Sequence, residues 1–296
     1  MNILIVRNKY NSKAIEASLL LEVFLASQGV EYTTFDSDEM WFSEAIINPQ
    51  EHSCIDRFDL AVVLGGDGTI LRTASQIGYR RIPILGINFG NLGFMANSNE
   101  DGVVPIVSAA LADEVGYEYR TNLEIDVYCD GAEQGSGDFD EDLPEVCSRS
   151  FFALNEMALA RGEQGRVIDF SYALAGSKIA DMRGDGLVVA TATGSTAYAL
   201  SAGGPLVAPG FGGLVIVPVA PHTLHSRAVV TEPSDVAEIV LNASSANRQA
   251  TMFIDGERVT FDHPIRRVVV RTGDEPTILL RYKPETFYAH ASEVFF

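Results

Sequence analysis

A glycine turn that contains one carboxylate is the feature that most restricts the fold of this chain. The segment 65–69 (GGDGT) directly follows the apolar run 60–64 (LAVVL). A short apolar run that ends in glycines is typical of a buried strand in a parallel sheet, and such sheets bind ligands beyond the carboxyl ends of their strands. The glycines let backbone N–H groups approach an anion, and Thr69 is expected to begin a helix whose N-terminus favours phosphate.

Asp67 is the unusual member of this turn. A carboxylate beside a phosphate is electrostatically unfavourable unless it holds a metal ion or takes a proton from an attacking hydroxyl. Its presence therefore indicates group transfer rather than binding alone. Because Asp-Gly sequences also form ordinary turns, turn geometry is the alternative explanation of this segment taken by itself.

The region up to residue 118 alternates between strand and helix patterns, which predicts a parallel sheet with crossover helices. A helix is expected over 11–27, ending before Gly29, and a second glycine loop follows the strand predicted at 82–87. Both glycine loops are therefore expected at carboxyl ends of strands. The predicted strands are 2–6, 32–35, 59–64 and 82–87.

From about residue 119 the pattern changes to short β-rich runs with few helical stretches, which predicts a β-sandwich-like domain. The expected fold class is thus an α/β N-terminal domain with a parallel sheet (1–118) followed by an all-β C-terminal domain (119–276). The acidic stretch 130–145 reads as a solvated hairpin loop without an assigned function. The β-rich runs are 124–128, 151–161, 167–174, 187–190, 214–219, 236–241, 251–254, 266–271 and 277–280.

Composition restricts the partners and the compartment. A net charge of −19 and a pI near 4.5 argue against nucleic acid or an anionic membrane surface as a partner. The thiols Cys54, Cys129 and Cys147 lack metal or redox spacing, and no apolar run reaches the roughly 20 residues of a membrane span, so we expect a cytoplasmic protein. The acidic surface with few lysines is compatible with a cytoplasm of high salt concentration or with the general amino-acid usage of the lineage.

A second block combines a glycine-carboxylate turn at 183–186 (RGDG), an apolar run and the segment 191–198 (TATGSTAY). Two such turns in one chain indicate one composite site. Together with the other segments, this block resembles the NAD kinases, which transfer a phosphoryl group to the 2′-hydroxyl of NAD. The segments that carry the resemblance are, in order, 65–69, 86–94 (GINFGNLGF), 155–156 (NE), 183–205 and 221–224 (PHTL).

The resemblance implies roles for individual residues. Asp67 would orient and deprotonate the ribose 2′-hydroxyl, and the Asn155–Glu156 pair would bind the adenosine part of NAD. Tyr198 could equally belong to the core. The residues expected on the ATP phosphates are Gly65, Gly66, Gly68 and Thr69. The residues expected on NAD are Asp67, Gly68, Asn155, Glu156, Arg183, Asp185, Thr193, Thr196, Ala197, Tyr198 and Ser201.

The resemblance also implies partners. Asp185 would meet the nicotinamide end of NAD where a neighbouring subunit helps to build the site, which implies a homodimer or homotetramer, and Arg183 would favour NAD over NADH. Mg²⁺ or another divalent ion is expected, although no ligand set is evident. ATP and inorganic polyphosphate both stay open as donors. Residues 277–296 are expected to return and pack on the first domain.

Two departures from the family pattern stand out. Ala192 replaces a common proline, and the family's Asp-Gly-Gln segment reads Asp255-Gly256-Glu257 here, which makes Asp255 a predicted hairpin-turn residue. His222 and His225 are expected to be structural or site-lining rather than a metal pair, because no third ligand is evident.

Each motif taken alone is also compatible with other functional classes. Lipid kinases and phosphofructokinases share a GGDG turn, and a nucleotide sensor could keep the fold without turnover. An NAD-dependent oxidoreductase is disfavoured, because the first β-α turn, residues 8–11 (NKYN), has no Gly-x-Gly-x-x-Gly.

Overall fold

The apolar run at 60–64 forms a buried central strand, as its sequence predicts. In a computed structural model it pairs in parallel with residues 3–7 on one side and 84–87 on the other. The structure describes residues 1–38, 58–78, 80–130, 147–223, 225–242, 249–283 and 286–296. These residues divide into two compact units, unit 1 (1–120 with 275–296) and unit 2 (121–274).

Strands and helices are numbered in chain order. The strands are β1 (Asn2–Arg7), β2 (Glu31–Asp36), β3 (Leu60–Leu64), β4 (Ile84–Ile87), β5 (Gly116–Arg120), β6 (Leu123–Cys129), β7 (Arg149–Ala153), β8 (Glu156–Ala160), β9 (Ile168–Leu174), β10 (Ser177–Gly184), β11 (Gly186–Ala190), β12 (Val215–Val219), β13 (Val229–Val230), β14 (Ala237–Leu241), β15 (Thr251–Ile254), β16 (Glu257–Val259), β17 (Ile265–Thr272) and β18 (Thr277–Arg281). The helices are α1 (Ser12–Ser27), α2 (Asp67–Ile77), α3 (Val103–Leu111), α4 (Tyr198–Ser201) and α5 (Phe287–Phe295).

Unit 1 is built on one sheet of order β2-β1-β3-β4-β18-β5, in which only the β18–β5 pair among the described strands is antiparallel. The α/β domain with a parallel sheet is therefore confirmed. Helices α1 and α3 cover the sheet, with Leu21 and Ile106 fully buried against Ile5 and Val62. Helix α1 begins where the Asn11 side chain accepts the N–H groups of the first turn.

Helix α2 begins two residues earlier than the sequence indicates. The pattern predicts Thr69 as the start, but Gly66 is the last extended residue and its carbonyl accepts the N–H groups of Thr69 and Ile70. The glycine thus serves as the N-cap, which puts Asp67 into the first turn of the helix.

The C-terminal segment belongs to unit 1. Strand β18 lies between β4 and β5, and α5 follows it. The sequence predicts domain divisions at 118 and 276, whereas unit 1 ends at Arg120 and resumes at Glu275.

Unit 2 consists of two antiparallel six-stranded sheets among the described residues, in the orders β10-β9-β14-β17-β6-β7 and β13-β12-β11-β8-β15-β16. The all-β, sandwich-like domain is confirmed. Strands β6 and β9 alternate buried and partly exposed residues, as expected for strands with one face in the core. Strand β11 is buried throughout, because Val188 and Ala190 pack with Ala199 of α4.

The apolar run 151–161, expected as one strand, is two strands in different sheets. Strand β7 pairs with β6, whereas β8 pairs with β11 and β15. The chain changes sheets at Leu154–Asn155 because the backbone N–H groups there are taken up by a side chain rather than by a ladder.

Several sequence expectations fall outside the described residues. These are the acidic loop at 130–145 beyond Asp130, Cys54 and Leu224 of the 221–224 segment. Cys129 and Cys147 are free thiols. Among the described helices, none is both long and apolar enough to cross a membrane.

Candidate active site

Asp67 has its carboxylate fixed by the segment that follows β4. The N–H of Phe94 donates to Oδ2 at 2.8 Å and the N–H of Met95 donates to Oδ1 at 3.2 Å. A Cβ at residue 93 would overlap this carboxylate, so only Gly93 permits the approach. Each oxygen keeps acceptor capacity for one further group, so the oriented carboxylate can still accept a hydrogen bond from a ligand.

The other residues of the GGDGT turn divide into packed and accessible ones. A Cβ at Gly65 would overlap the Thr69 side chain, and both residues are buried, so packing accounts for Gly65. Gly68 is exposed, with open space within 4 Å of the point where a Cβ would stand, and Gly66 is partly exposed. Backbone groups at the N-terminus of α2 are thus open to an anion.

The Asn155–Glu156 pair lies at the turn between the two sheets of unit 2, and the carboxylate of Asp255 holds this turn. Asp255 Oδ2 accepts the N–H of Leu154 at 2.8 Å. Its Oδ1 accepts the N–H groups of Asn155 at 2.7 Å and Glu156 at 3.0 Å. One side chain therefore satisfies three consecutive backbone donors that no strand ladder could reach.

Asp255 lies in the hairpin turn between β15 and β16, as the sequence predicts, and has a positive φ of 46°. Its second role is not evident in the sequence. Asp255 and Leu154 are 101 positions apart, so neither spacing nor periodicity connects them. The presence of a family-like Asp-Gly segment is the one signal that could have singled it out.

The side chains of Asn155 and Glu156 are buried, with relative exposures of 8% and 5%. Within the described residues, Asn155 Oδ1 and Glu156 Oε2 have no hydrogen-bond partner. A buried polar atom left unpaired costs about 1–3 kcal/mol, so such an atom requires a partner, for example a ligand or an ordered water. The turn is therefore a polar site prepared for hydroxyl or amino groups.

Burial also changes the acid strength of both carboxyls. Desolvation, together with the nearby charge of Asp255, raises the pKa of Glu156 to about 8, although the hydrogen bond from the N–H of Tyr198 opposes the shift. Burial raises the pKa of Asp255 to about 6, against the three backbone hydrogen bonds that favour its ionised form. Near neutral pH, Glu156 therefore holds its proton more readily than Asp255.

We expect Glu156→Gln to flatten the dependence of stability on pH. Between an unfolded-state pKa near 4.5 and the folded-state value of about 8, the folded chain keeps a proton that the unfolded chain has released. Stability therefore falls as pH rises through this window, by on the order of 3 kcal/mol, and the amide variant escapes that loss. Urea unfolding from pH 5 to 8.5 measures the difference.

Glu163→Gln is the matched control, because Glu163 is 80% exposed in an ion pair with Arg258. Its stability should follow the wild-type curve within about 0.5 kcal/mol. Parallel wild-type and Glu156→Gln curves across the whole pH range would contradict the expected protonation of Glu156.

The TATGSTAY segment packs directly on the Asn155 turn. The N–H of Thr191 donates to the carbonyl of Asn155 at 2.9 Å, and a Cβ at Gly194 would overlap that carbonyl. Residues Gly194–Thr196 form one turn of 3₁₀ helix before α4. The N–H of Tyr198 reaches Glu156, so both segments meet at one place.

The hydroxyl groups of this segment mostly donate hydrogen bonds to backbone carbonyls. Ser195 Oγ donates to the carbonyl of Ala192 at 2.7 Å, and Thr196 Oγ1 donates to that of Thr193 at 3.1 Å. Ser201 is exposed, with a 3.5 Å contact to the Ala197 carbonyl. The accessible groups are therefore at the end of the segment.

Tyr198 is 41% exposed and is not a core residue, which settles the alternative left open by the sequence. Its ring is available to a ligand beside Glu156. Thr193, by contrast, is buried with only 4% exposure.

Arg183 and Asp185 lie at the opposite end of β11 from Glu156. Glu156 pairs with Ala190 at one end of the β8–β11 ladder, whereas Asp185 immediately precedes Gly186 at the other. Four residue steps of about 3.3 Å separate these ends by about 13 Å. Within unit 2, the second glycine-carboxylate turn therefore does not join the Asn155–Glu156 site.

Both residues of this turn have partners on the protein. Asp185 pairs with Arg161 Nη1 at 3.0 Å, and Arg183 lies 3.6 Å from Asp169. The N–H of His222 donates to the Arg183 carbonyl at 2.7 Å, which brings the Pro-His-Thr segment beside the turn.

The two histidines of this segment lie at the surface. His222 and His225 are exposed. Across the described part of the chain, no group of three or more His, Cys, Asp or Glu side chains could hold a metal ion.

Family models match both parts of the chain. Residues 3–115 match the ATP-NAD kinase N-terminal domain, and residues 154–282 match the ATP-NAD kinase C-terminal domain. An NAD kinase of Gemmatimonas aurantiaca is 36% identical over 230 residues, covering 78% of this chain and 74% of the relative. An NAD kinase 2 of Prochlorococcus marinus is 33% identical over 296 residues, covering 96% and 92%.

Two solved structures also resemble this chain. An Archaeoglobus fulgidus NAD kinase in complex with ATP has a TM-score of 0.70 at 25% identity, covering 96% of this chain and 94% of that one. The yeast NADH kinase complexed with NADH has a TM-score of 0.81 at 22% identity, over 99% and 87%, and shows the same fold. Two domain models and full-length relatives above 30% identity establish that the chain belongs to the NAD kinase family.

Proposed function

We infer that the chain phosphorylates the 2′-hydroxyl of the adenosine ribose of NAD with ATP, giving NADP and ADP. The observation that carries this function is the fixed carboxylate of Asp67 in the first turn of α2, beside accessible glycine backbone. Phosphoryl transfer requires a positioned hydroxyl and neutralised phosphate charge, and this turn can serve both needs.

Asp67 acts on the hydroxyl. A carboxylate is a weak base toward an alcohol, so it takes the proton late, as the attacking oxygen becomes more acidic. Its main contribution is to hold the 2′-hydroxyl in line with the transferred phosphoryl group. The two backbone hydrogen bonds support this role, because they limit rotation of the carboxylate.

We assign the ATP phosphates to the N-terminus of α2, with Gly65, Gly66, Gly68 and Thr69 on the phosphate side. Mg²⁺ or another divalent ion would neutralise phosphate charge when bound. The described residues fit an ion held mainly by phosphates and water, because no three-ligand cluster occurs among them. Among the assigned site residues, Asp67 is the carboxylate of the GGDGT turn that would serve as a protein ligand of this ion.

We assign the adenosine part of NAD to Asn155 and Glu156, whose unpaired buried oxygens would receive ribose hydroxyl and adenine amino protons. Supporting contacts would come from the adjacent segment, through Thr193, Thr196, Ala197, Tyr198 and Ser201.

Arg183 and Asp185 are assigned to the nicotinamide end in a homodimer or homotetramer. The separation of about 17 Å between Asp185 and the Glu156 end of β11, five residue steps of about 3.3 Å, favours a site that a second copy completes. We further propose a cytoplasmic location, where NAD and ATP are available.

An assay of the purified protein tests the function. The protein is incubated with NAD, Mg²⁺ and either ATP or inorganic polyphosphate, and NADP is detected with an NADP-specific dehydrogenase. Product with ATP is expected, and the second donor arm decides whether polyphosphate also serves. Folded protein that forms no NADP with either donor would refute the assignment.

We expect NAD to be a better substrate than NADH by at least about tenfold in kcat/KM, because the family resemblance implies that an arginine at position 183 goes with that preference. Arg183 is 64% exposed, so its charge is accessible to a ligand. Parallel kinetics with both nucleotides measure the ratio, and Arg183→Gln should reduce it. Comparable turnover of NAD and NADH by the wild type would refute this preference.

A further inference from the structure

The peptide group between Phe94 and Met95 connects Asp67 to two arginines. Its N–H, carried by Met95, donates to Asp67 Oδ1 at 3.2 Å. Its carbonyl, carried by Phe94, accepts from Arg281 Nη2 at 2.7 Å and from Arg120 Nη2 at 3.3 Å. A cation therefore lies on one side of this peptide and the carboxylate on the other.

Arg281 binds two successive carbonyls of the same segment. In addition to the Phe94 carbonyl, it donates from Nη1 to the Met95 carbonyl at 2.7 Å. The planar guanidinium fixes both peptides in one orientation, which a point charge cannot do. One of the two donors to Asp67, the N–H of Met95, lies on the Phe94–Met95 peptide whose carbonyl Arg281 binds, so fixing this peptide also fixes that donor against the carboxylate.

The guanidinium groups are themselves held by one carboxylate. Arg281 Nε pairs with Glu118, and Arg120 pairs with the same residue at 2.9 Å. Arg281 is 15% exposed and Arg120 only 2%. Two nearby cations with so little solvent are costly, and burial lowers the pKa of Arg120 to about 10.

The side chain of Phe94 is anchored to the same C-terminal segment. Its ring stacks on Phe295 with centroids 5.6 Å apart and meets His290 edge-on at 4.7 Å. The segment that orients Asp67 is therefore held by β18 through Arg281 and by α5 through Phe94.

We propose that Arg281 is a positioning residue for the phosphoryl transfer, which orients the Asp67 carboxylate through the Phe94–Met95 peptide. The proposal rests on the assigned role of Asp67. A cation on the carbonyl polarises the peptide and strengthens its N–H as a donor, so the effect is transmitted without any contact between Arg281 and the substrate. The C-terminal strand thereby takes part in the chemistry of the GGDGT turn.

Arg281→Lys and Arg281→Met test this assignment. Lysine keeps the charge but can fix only one carbonyl, so we expect kcat to fall about tenfold, and the methionine variant to fall about a hundredfold. The KM values for NAD and ATP should stay within about twofold, because the proposal gives this side chain no contact with either substrate. If the methionine variant does not fold, the lysine variant decides.

Arg271→Lys is the matched control. Arg271 is a partly exposed arginine on β17 that pairs with Glu124 and Asp126, and it has no assigned part in the site. Its kcat per folded molecule should equal the wild-type value within about twofold, even if its thermal stability falls. If Arg281 had a structural role alone, Arg281→Lys would also keep its kcat per folded molecule within about twofold of the wild type. That result would overturn the proposal.

A double-mutant cycle separates the two assignments. If Arg281 acts through Asp67, adding Arg281→Lys to Asp67→Asn should lower kcat by less than about twofold, instead of the roughly tenfold loss expected from Arg281→Lys alone. Full additivity would refute the coupling. If Asp67→Asn alone keeps the wild-type kcat, the assigned role of Asp67 is refuted. A loss of kcat in Arg281→Lys could then not be transmitted through Asp67, so the proposal for Arg281 would be refuted as well.

Discussion

Asp67→Asn is expected to lower kcat for NADP formation by at least about a hundredfold, the range of a positioned proton acceptor. The amide cannot take the hydroxyl proton. Its NH₂ group would also face the N–H of either Phe94 or Met95, so one of the two hydrogen bonds that fix the side chain is lost. The coupled NADP assay, at saturating NAD and ATP, measures this loss.

Asp59→Asn provides the control for a change of charge near the same strand. Asp59 precedes β3 at its other end and accepts the N–H of Asn2 at 2.7 Å. Its kcat should stay within about twofold of the wild type. An Asp67→Asn variant that keeps more than about a tenth of the wild-type kcat would exclude Asp67 as the proton acceptor.

Asp255→Ala is expected to have the largest effect on stability. The change leaves the N–H groups of Leu154, Asn155 and Glu156 without an acceptor at a turn between two sheets. At about 1–3 kcal/mol for each unpaired donor, the free energy of unfolding should fall by about 3 kcal/mol or more. Circular dichroism in urea measures the change.

The same substitution should weaken NAD binding, since Asn155 and Glu156 lose the support that orients them. We expect the KM for NAD to rise at least about tenfold in whatever fraction folds, while the KM for ATP changes little. Asp255→Asn should give a smaller loss, because one oxygen still accepts.

Asp235→Ala controls for the loss of an aspartate cap in unit 2. Asp235 accepts a single N–H, that of Glu232, at 3.0 Å in an exposed loop. The cost there should be below about 1 kcal/mol. Equal losses in the Asp235 and Asp255 variants would mean that the three-donor turn contributes nothing particular to stability.

The strand patterns at the centre of unit 1 are readable because β1, β3 and β4 are buried on both faces. The run 60–64 and the run 82–87 are apolar for that reason, and their glycine loops follow at the expected ends. The polar surface strand β10 is not predicted, since its residues alternate weakly and are mostly exposed. Short strands such as β16 lack enough residues for a pattern to develop.

The candidate site residues also differ in whether they can be recognised from the sequence. Asp67, Asn155 and Glu156 can be singled out because a polar residue in a glycine turn or an apolar run is conspicuous. The contacts that Asp255 and Arg281 make cannot be read from the sequence, because the backbone groups that they bind are 101 and 187 positions away. An aspartate in a hairpin and an arginine at a strand end are ordinary features until the chain is folded.

The fold class and the family could be read from the sequence, because they depend on local pattern, on glycine and on residue type; the chemistry of the GGDGT turn stays a prediction on the same grounds. Tertiary structure alone decided which side chains orient the reactive groups. Backbone donors and acceptors must be satisfied wherever the chain leaves its ladders, and the partners that satisfy them come from distant segments. In this chain those partners are Asp255 for the Asn155–Glu156 turn and Arg281 for the segment that holds Asp67.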